Sequence, residues 1–116
     1  ELTMLDSLDM QDADRENILK SCREIPADRI VIVHGTDTMQ DTAAVLGKAA
    51  LEKTIVLTGA MIPYEFDRSD AFFNLGFAVS AVQLLPTGVY ILMNGQIFKW
   101  NKVTKNRPIG VFEAVS

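Results

Sequence analysis

Residues 30–39 read Ile-Val-Ile-Val-His-Gly-Thr-Asp-Thr-Met, a run of four β-branched residues that leads into a short polar loop. The apolar residues do not alternate with polar ones, which is typical of a strand buried on both faces of a parallel sheet. Similar runs return at residues 54–58 (Thr-Ile-Val-Leu-Thr) and 89–93 (Val-Tyr-Ile-Leu-Met). The sequence therefore predicts three buried, parallel strands.

Helical segments separate these strands. Amphipathic spacing predicts one helix over residues 11–24 and a second over residues 39–51, with Thr38 as its N-cap. A third helix is expected over residues 70–85, capped by Ser69. Strands joined by helices form right-handed crossovers. The predicted fold is therefore α/β: a three-layer, Rossmann-like arrangement with a mostly parallel sheet flanked by helices.

The two ends of the chain carry weaker signals. Residues 1–10 show no clear period, so no element is predicted there. Asn94-Gly95 is a strong tight-turn signal, from which residues 96–98 should return antiparallel to the third strand. The tail, residues 100–116, is expected to be irregular or to hold a short strand. A chain of 116 residues supports one compact domain of ordinary core size.

The composition narrows the possible functions. The net charge is −4 and most basic residues are scattered, so nucleic-acid binding is disfavoured. Cys22 and His34 are the only residues of their types, which leaves neither an intrachain disulfide nor a spaced set of metal ligands. No stretch has the length of a transmembrane helix and no signal-peptide pattern is present. A cytoplasmic protein that does not contact the membrane is expected.

Polar residues follow the predicted strands at their carboxyl ends, where open parallel sheets bind ligands. The first of these loops holds Thr36 and Asp37, and the second begins with Gly59-Ala60. A threonine hydroxyl needs a base to react, and Lys105 can supply one if the tail folds back over the sheet. These residues would then form a proton relay, with backbone N–H groups of the second loop stabilising an oxyanion.

Simpler interpretations of the same residues stay open. Residues 35–38 fit a turn followed by an N-cap, Lys105 fits a solvated lysine, and His34 fits a packed, hydrogen-bonded side chain. The aromatic residues around Phe72 and Phe73 look like helix packing, with enough apolar surface to suggest a subunit contact. From the residues alone, the prediction is an α/β domain with a polar site at its strand ends.

Four segments resemble the L-asparaginase family, in the family's order. Residues 30–43 resemble its second signature and residues 55–63 the segment that follows. Residues 6–10 resemble its substrate-binding serine loop, and residues 101–105 its lysine-bearing segment. The resemblance covers most of the chain. It implies an amidohydrolase that converts asparagine or a similar small amide to the acid and ammonia, without a metal or an organic cofactor.

The resemblance also implies roles for individual residues. Thr36 would position or activate the nucleophile, Lys105 would accept its proton, and Asp37 would bind the substrate's α-amino group and orient the lysine. The substrate-binding residues that it implies are Ser7, Gly35 and Ala60. The first of these would hold the substrate carboxylate, and the last would contact the amide through its backbone.

The chain departs from the family pattern in two places. The family's other catalytic threonine lies in a Thr-Gly-Gly-Thr-Ile type loop, which no segment here resembles. Residues 1–116 are therefore expected to be part of an N-terminal-type asparaginase domain. Either about fifty upstream residues are absent from this sequence, or the chain as it stands is inactive. Leu8 stands where many members have a polar substrate-binding residue, so the preferred amide stays open. The ending near Phe112-Glu113 is similar to short, single-domain asparaginase-like proteins that lack the usual C-terminal domain. Full-length members complete each site with residues from a neighbouring subunit's C-terminal domain, which is not expected in this chain; the resemblance still implies a homo-oligomer.

Two other functions fit the same resemblance. One is the glutaminase-type subunit of a tRNA-dependent amidotransferase, which uses the same chemistry on glutamine but needs a partner and a nucleic-acid surface. The other is a non-catalytic amino-acid-binding domain that keeps the pocket. The small-molecule amidohydrolase is preferred, because the low basic content argues against a tRNA surface.

Overall fold

A computed structural model describes residues 2–6, 15–61, 70–106 and 111–115 of the chain. In chain order its elements are β1 (Leu2–Asp6), α1 (Arg15–Glu24), β2 (Arg29–Val33), α2 (Met39–Ala49), β3 (Thr54–Thr58), α3 (Ala71–Val82), β4 (Gly88–Met93), β5 (Gln96–Lys99), β6 (Val103–Asn106) and β7 (Val111–Ala114). Within these residues, five strands form one sheet in the order β1-β2-β3-β4-β5, and β6 and β7 form a separate ribbon.

The main sheet is mostly parallel, as predicted. Strands β1 to β4 run parallel and β5 runs antiparallel to β4. In the register of β2 and β3, Val33 lies opposite Thr58, and the backbone N–H of His34 donates to the Thr58 carbonyl at 2.8 Å. The loops after these two strands therefore leave the sheet side by side.

Apolar side chains on each face of the sheet form two separate cores. One face packs against α1 and α2, and the other packs against α3. The buried strand residues on the first face include Ile30, Ile32, Ile55, Leu57 and Ile91. Those on the second face include Val31, Val56, Tyr90 and Leu92. Consecutive residues of each strand thus point to opposite cores, which confirms the three-layer α/β prediction and gives the strand-end loops a rigid base.

The hairpin between β4 and β5 also confirms its prediction. Asn94 and Gly95 occupy the turn with φ of 52° and 81°. Positive φ at both central positions is the backbone that an Asn-Gly turn adopts in two-residue hairpins. The returning strand pairs Met93 with Gln96.

Other expectations need correction or refinement. The sequence did not predict β1. Its Leu2 and Met4 are exposed at the edge of the sheet, so the segment lacks the pattern of buried apolar residues that marks a strand. The tail was expected to be irregular or to hold a short strand, and the second alternative is confirmed, because it holds the two short strands of the β6–β7 ribbon. Thr38 occupies the N-cap position of α2, as predicted, and its carbonyl accepts the N–H groups of Asp41 and Thr42. Within the described residues, however, its side chain makes no capping hydrogen bond.

The helix ends differ from prediction by a few residues. Helix α2 stops at Ala49 because Ala50 adopts a left-handed conformation, with φ of 52°. Helix α3 ends at Val82, three residues earlier than expected. Residues 11–14 and Ser69, which were assigned to helix starts, lie outside the described residues. None of the helices in the described ranges has the length and apolar character needed to cross a bilayer.

The aromatic residues of α3 divide into two groups. Phe77 packs against the second core, as expected for helix packing. Phe72 and Phe73 instead are 76% and 61% exposed, although the rings of Phe73 and Phe77 are stacked with centroids 6.4 Å apart. The predicted subunit contact on this helix stays a prediction.

Candidate active site

The path of the chain after β5 brings the tail back to α2. Trp100 lies flat against α2 at Gly47, where an added Cβ would come within 2.2 Å of the indole ring. Farther along, the Gln40 side-chain oxygen at the start of α2 accepts the backbone N–H of Lys105 at 3.1 Å. These contacts hold β6 beside the first turn of α2, which is the position that the proton relay requires.

Lys105 joins the two polar residues of the β2–α2 loop. Its Nζ donates to Thr36 Oγ1 at 2.9 Å and to Asp37 Oδ1 at 2.6 Å. The Lys105 side chain is only 13% exposed, whereas that of Asp37 is 76% exposed. The amine is thus enclosed and oriented, and the carboxylate faces solvent. The structure brings the three predicted catalytic residues together in an arrangement that can pass a proton between the Thr36 hydroxyl and the amine.

The β3–α3 loop begins in close contact with the end of β2. A Cβ added to Gly59 would lie 2.3 Å from the His34 carbonyl oxygen and 3.2 Å from Met39 Cε. Glycine is therefore required by the approach of two backbones. A Cβ added to Gly35 would meet no atom of the described residues within 4 Å. Gly35 and Ala60, both predicted to bind substrate, consequently lie on adjacent loops at one edge of the sheet.

Residues that the sequence interpretation missed hold these loops in place. Asn74 of α3 is fully buried, and its Nδ2 donates to the Gly59 carbonyl at 2.8 Å. Gln40 anchors the backbone of Lys105. The signal for Asn74 was present, since it is an amide in an otherwise apolar helix; Gln40 lies in a polar first turn and carries no comparable signal.

His34 is packed and hydrogen-bonded, which confirms the simpler interpretation of this residue. It is 6% exposed, and its ring lies 2.8 Å from both the Gly35 carbonyl and Thr42 Oγ1. Because a carbonyl only accepts, Nδ1 carries the proton and Nε2 accepts from the threonine hydroxyl. Burial lowers the pKa of His34 below its ordinary value of 6.5, so the folded protein favours the neutral ring.

The free energy of unfolding should therefore fall as the pH drops through the range in which the His34 side chain binds a proton. Below about pH 6.5 the unfolded chain binds a proton that the folded protein resists, so acidification favours unfolding. Thermal midpoints measured from pH 7.5 to 5.5 should fall more steeply for the natural protein than for a His34→Gln variant. Equal slopes for the two proteins would contradict the assignment.

Comparison with known proteins places the chain in a family. A family model described as "Asparaginase, N-terminal" matches residues 1–113. The chain belongs to the asparaginase family.

Three relatives show what fraction of a longer protein this chain matches. A glutaminase-asparaginase of Acinetobacter glutaminasificans is 41% identical over 91 residues, which are 75% of this chain and 28% of that protein. One subunit of a glutamyl-tRNA(Gln) amidotransferase from Methanococcus vannielii is 44% identical over 72 residues, 61% of this chain and 17% of that protein. The thermostable L-asparaginase of Thermococcus kodakarensis superposes with a TM-score of 0.81 at 30% identity, covering 90% of this chain and 34% of that structure. The chain thus spans about a third or less of the length of these relatives.

Two further residues of the predicted asparaginase-type site belong to the N-terminal segment. Ser7, assigned to the substrate carboxylate, and Leu8, the departure from the family pattern, lie outside the described residues. Within the described ranges, no group of three or more His, Cys, Asp or Glu side chains is arranged to hold a metal ion.

Proposed function

We propose that the protein hydrolyses the side-chain amide of asparagine, or of a similar small amide, to the acid and ammonia. The observation that carries this proposal is the Lys105 amine, which is enclosed and hydrogen-bonded to both Thr36 and Asp37. Membership of the asparaginase family supports it, as does the Acinetobacter relative, which is named a glutaminase-asparaginase.

Each residue of the relay has a role that its contacts allow. Thr36 attacks the amide carbonyl or orients the oxygen that does, and the Lys105 amine accepts the proton that this oxygen loses. Asp37 holds the amine from the other side and stabilises the ammonium as it forms. Its carboxylate is 76% exposed and so lies within reach of a substrate's α-amino group.

The products follow from the return of that proton. When the tetrahedral intermediate collapses, the carbon–nitrogen bond breaks and the proton passes from Lys105 to the departing nitrogen, which leaves as ammonia. Where Thr36 is the attacking oxygen, water then hydrolyses the acyl ester on Thr36, which restores the hydroxyl and supplies the second oxygen of the acid. A Cβ added to Gly35 would meet no described atom within 4 Å, which leaves space for the substrate beside the relay. The backbone of Ala60, on the adjacent loop, is the group that we expect to contact the amide.

The test is a product balance with the complete natural chain. Purified protein is incubated with asparagine and with glutamine, and ammonia and the free acid are measured together. We expect equal amounts of the two products from at least one amide. A Thr54→Val variant, which alters a threonine at the opposite end of β3, should behave like the natural protein. If the folded protein releases no ammonia from either amide, the proposal fails.

A second candidate is the ammonia-supplying subunit of a tRNA-dependent amidotransferase. The Methanococcus relative is named as part of such an enzyme, and its identity over the shared residues is similar. The net charge of −4 argues against a tRNA-binding surface on this chain. Glutamine hydrolysis that required an added partner subunit and tRNA would favour this function over free amide hydrolysis. Tight aspartate binding without turnover would instead favour the non-catalytic domain. A cytoplasmic location and a homo-oligomeric state stay predictions from the sequence.

A further inference from the structure

We propose that Asn74 is a positioning residue, which fixes the backbone of Gly59 and so sets where Ala60 meets the substrate amide. The inference rests on the proposed function, because it concerns the amide contact of that reaction. Asn74 does not belong to the relay itself. It lies on the inner face of α3, on the opposite side of the sheet from α2.

The Asn74 amide links the ends of two strands. Its Nδ2 donates to the Gly59 carbonyl, just after β3, at 2.8 Å, and to Asp70 Oδ2 at 3.0 Å. Its Oδ1 accepts the backbone N–H of Asn94, just after β4, at 2.8 Å. Both amide protons and the oxygen are thus engaged, which is what a fully buried amide needs if its burial is not to be costly.

Asp70 extends this link along the β3–α3 loop. The same Oδ2 that accepts from Asn74 also accepts the backbone N–H of Met61 at 3.1 Å and the Nδ2 of Asn94 at 3.0 Å. Ala60 therefore lies between two backbone groups that are each tied to α3, the Gly59 carbonyl and the Met61 N–H. We call Asp70, Asn74 and the groups they bind the loop clamp.

The position of the clamp argues for more than packing. An apolar side chain at residue 74 would pack between α3 and the sheet without needing hydrogen-bond partners, as Ala78 and Val82 do along the same helix. The polar group instead lies at the carboxyl end of the sheet, where the strand-end loops are. A displacement of about 1 Å in a group that contacts substrate can cost a reaction about a hundredfold in rate, so holding these loops has a direct kinetic consequence.

The main test is an Asn74→Asp variant. It keeps the shape and the acceptor for the Asn94 N–H but loses both donors, and it faces the Gly59 carbonyl and the Asp70 carboxylate with a new negative charge. We expect kcat/KM for the amide to fall roughly tenfold or more at pH 8. The loss should shrink as the pH falls and the introduced carboxyl regains a proton that it can donate.

The matched control is Tyr90→Phe. Tyr90 is also buried against α3, and its hydroxyl donates to the Pro86 carbonyl at 3.0 Å, at the opposite end of the sheet. This variant also loses a buried hydrogen bond, but it leaves the clamp intact. We expect its kcat/KM to stay within about twofold of the natural value. Asn74→Ala, which removes the amide without adding a charge, serves if the aspartate variant does not fold.

Two further measurements separate positioning from general stability and from the proposed function. Hydrogen exchange at residues 59–61 should quicken in the Asn74 variants and not in Tyr90→Phe. Aspartate binding, which needs no amide contact, should weaken little. The inference is overturned if exchange at residues 59–61 is unchanged, or if Tyr90→Phe loses as much activity at equal stability. A natural protein without amidase activity would defeat the proposed function and the amide contact together, while the exchange data would still decide whether Asn74 holds the loop.

Discussion

Replacing Lys105 with methionine should nearly abolish amide hydrolysis and leave the fold intact. Methionine preserves most of the apolar stem but removes Nζ, the atom that lies 2.9 Å from Thr36 Oγ1 and 2.6 Å from Asp37 Oδ1. Without it, the proton of the attacking oxygen has no acceptor in the relay. A positioned general base contributes about 10²–10⁴-fold to a rate, so kcat/KM should fall by that order.

The stability of the Lys105→Met variant should change little. Its backbone N–H still donates to Gln40, so β6 keeps its place beside α2. The lost ion pair involves an Asp37 carboxylate that is 76% exposed, and ion pairs open to solvent contribute about 0–1 kcal/mol. The circular dichroism spectrum should therefore match that of the natural protein, and the free energy of unfolding should fall by no more than about 1 kcal/mol.

Lys102→Met supplies the matched control for this experiment. Lys102 is an exposed lysine three residues earlier, and its substitution makes the same chemical change outside the relay. It should keep full activity. If Lys105→Met keeps more than a tenth of the natural kcat/KM, the lysine is not the proton acceptor.

The fold was largely predictable because its central strands are buried on both faces. The runs at residues 30–33, 54–58 and 89–93 leave little alternative to a parallel sheet covered by helices. Strand β1 escaped prediction because an edge strand with exposed side chains at Leu2 and Met4 need not carry a buried pattern.

The site was only partly predictable, and the limit is physical. Thr36 and Asp37 follow a buried strand directly, so their place at the sheet edge follows from local sequence. The approach of Lys105 depends on nonlocal contacts, Trp100 on Gly47 and Gln40 on the Lys105 backbone, which no period in the tail encodes. The resemblance to the asparaginase family implied that Lys105 is the partner of Thr36 and Asp37. The residues alone were equally consistent with a solvated lysine.

Gly59 should tolerate no side chain, and Gly59→Ala should impair both stability and activity. The added Cβ would lie 2.3 Å from the His34 carbonyl oxygen, a backbone atom that cannot rotate away. Neither backbone segment can move away easily, because both are held by hydrogen bonds. The His34 N–H is bound to Thr58 on the neighbouring strand, and the Gly59 carbonyl is held by Asn74.

The shift that relieves this overlap must move one of the two loops of the site. Overpacking of this kind costs about 1–3 kcal/mol, which should appear as a lower thermal midpoint. Displacing Ala60 or Gly35 by about 1 Å should reduce kcat/KM by about a hundredfold. Both losses should occur together, since one steric overlap causes them.

Two glycine substitutions elsewhere isolate the steric cause. Gly76→Ala, in α3, meets no atom of the described residues within 4 Å, so helix propensity should raise stability by up to about 1 kcal/mol. Gly35→Ala is equally unobstructed within the described chain. It should fold normally, so any loss of activity there would come from a bound substrate that needs the space. If Gly59→Ala has the thermal midpoint and the kcat/KM of the natural protein, the ends of β2 and β3 are not in close contact. The loops that follow these strands would then not form one rigid edge of the sheet.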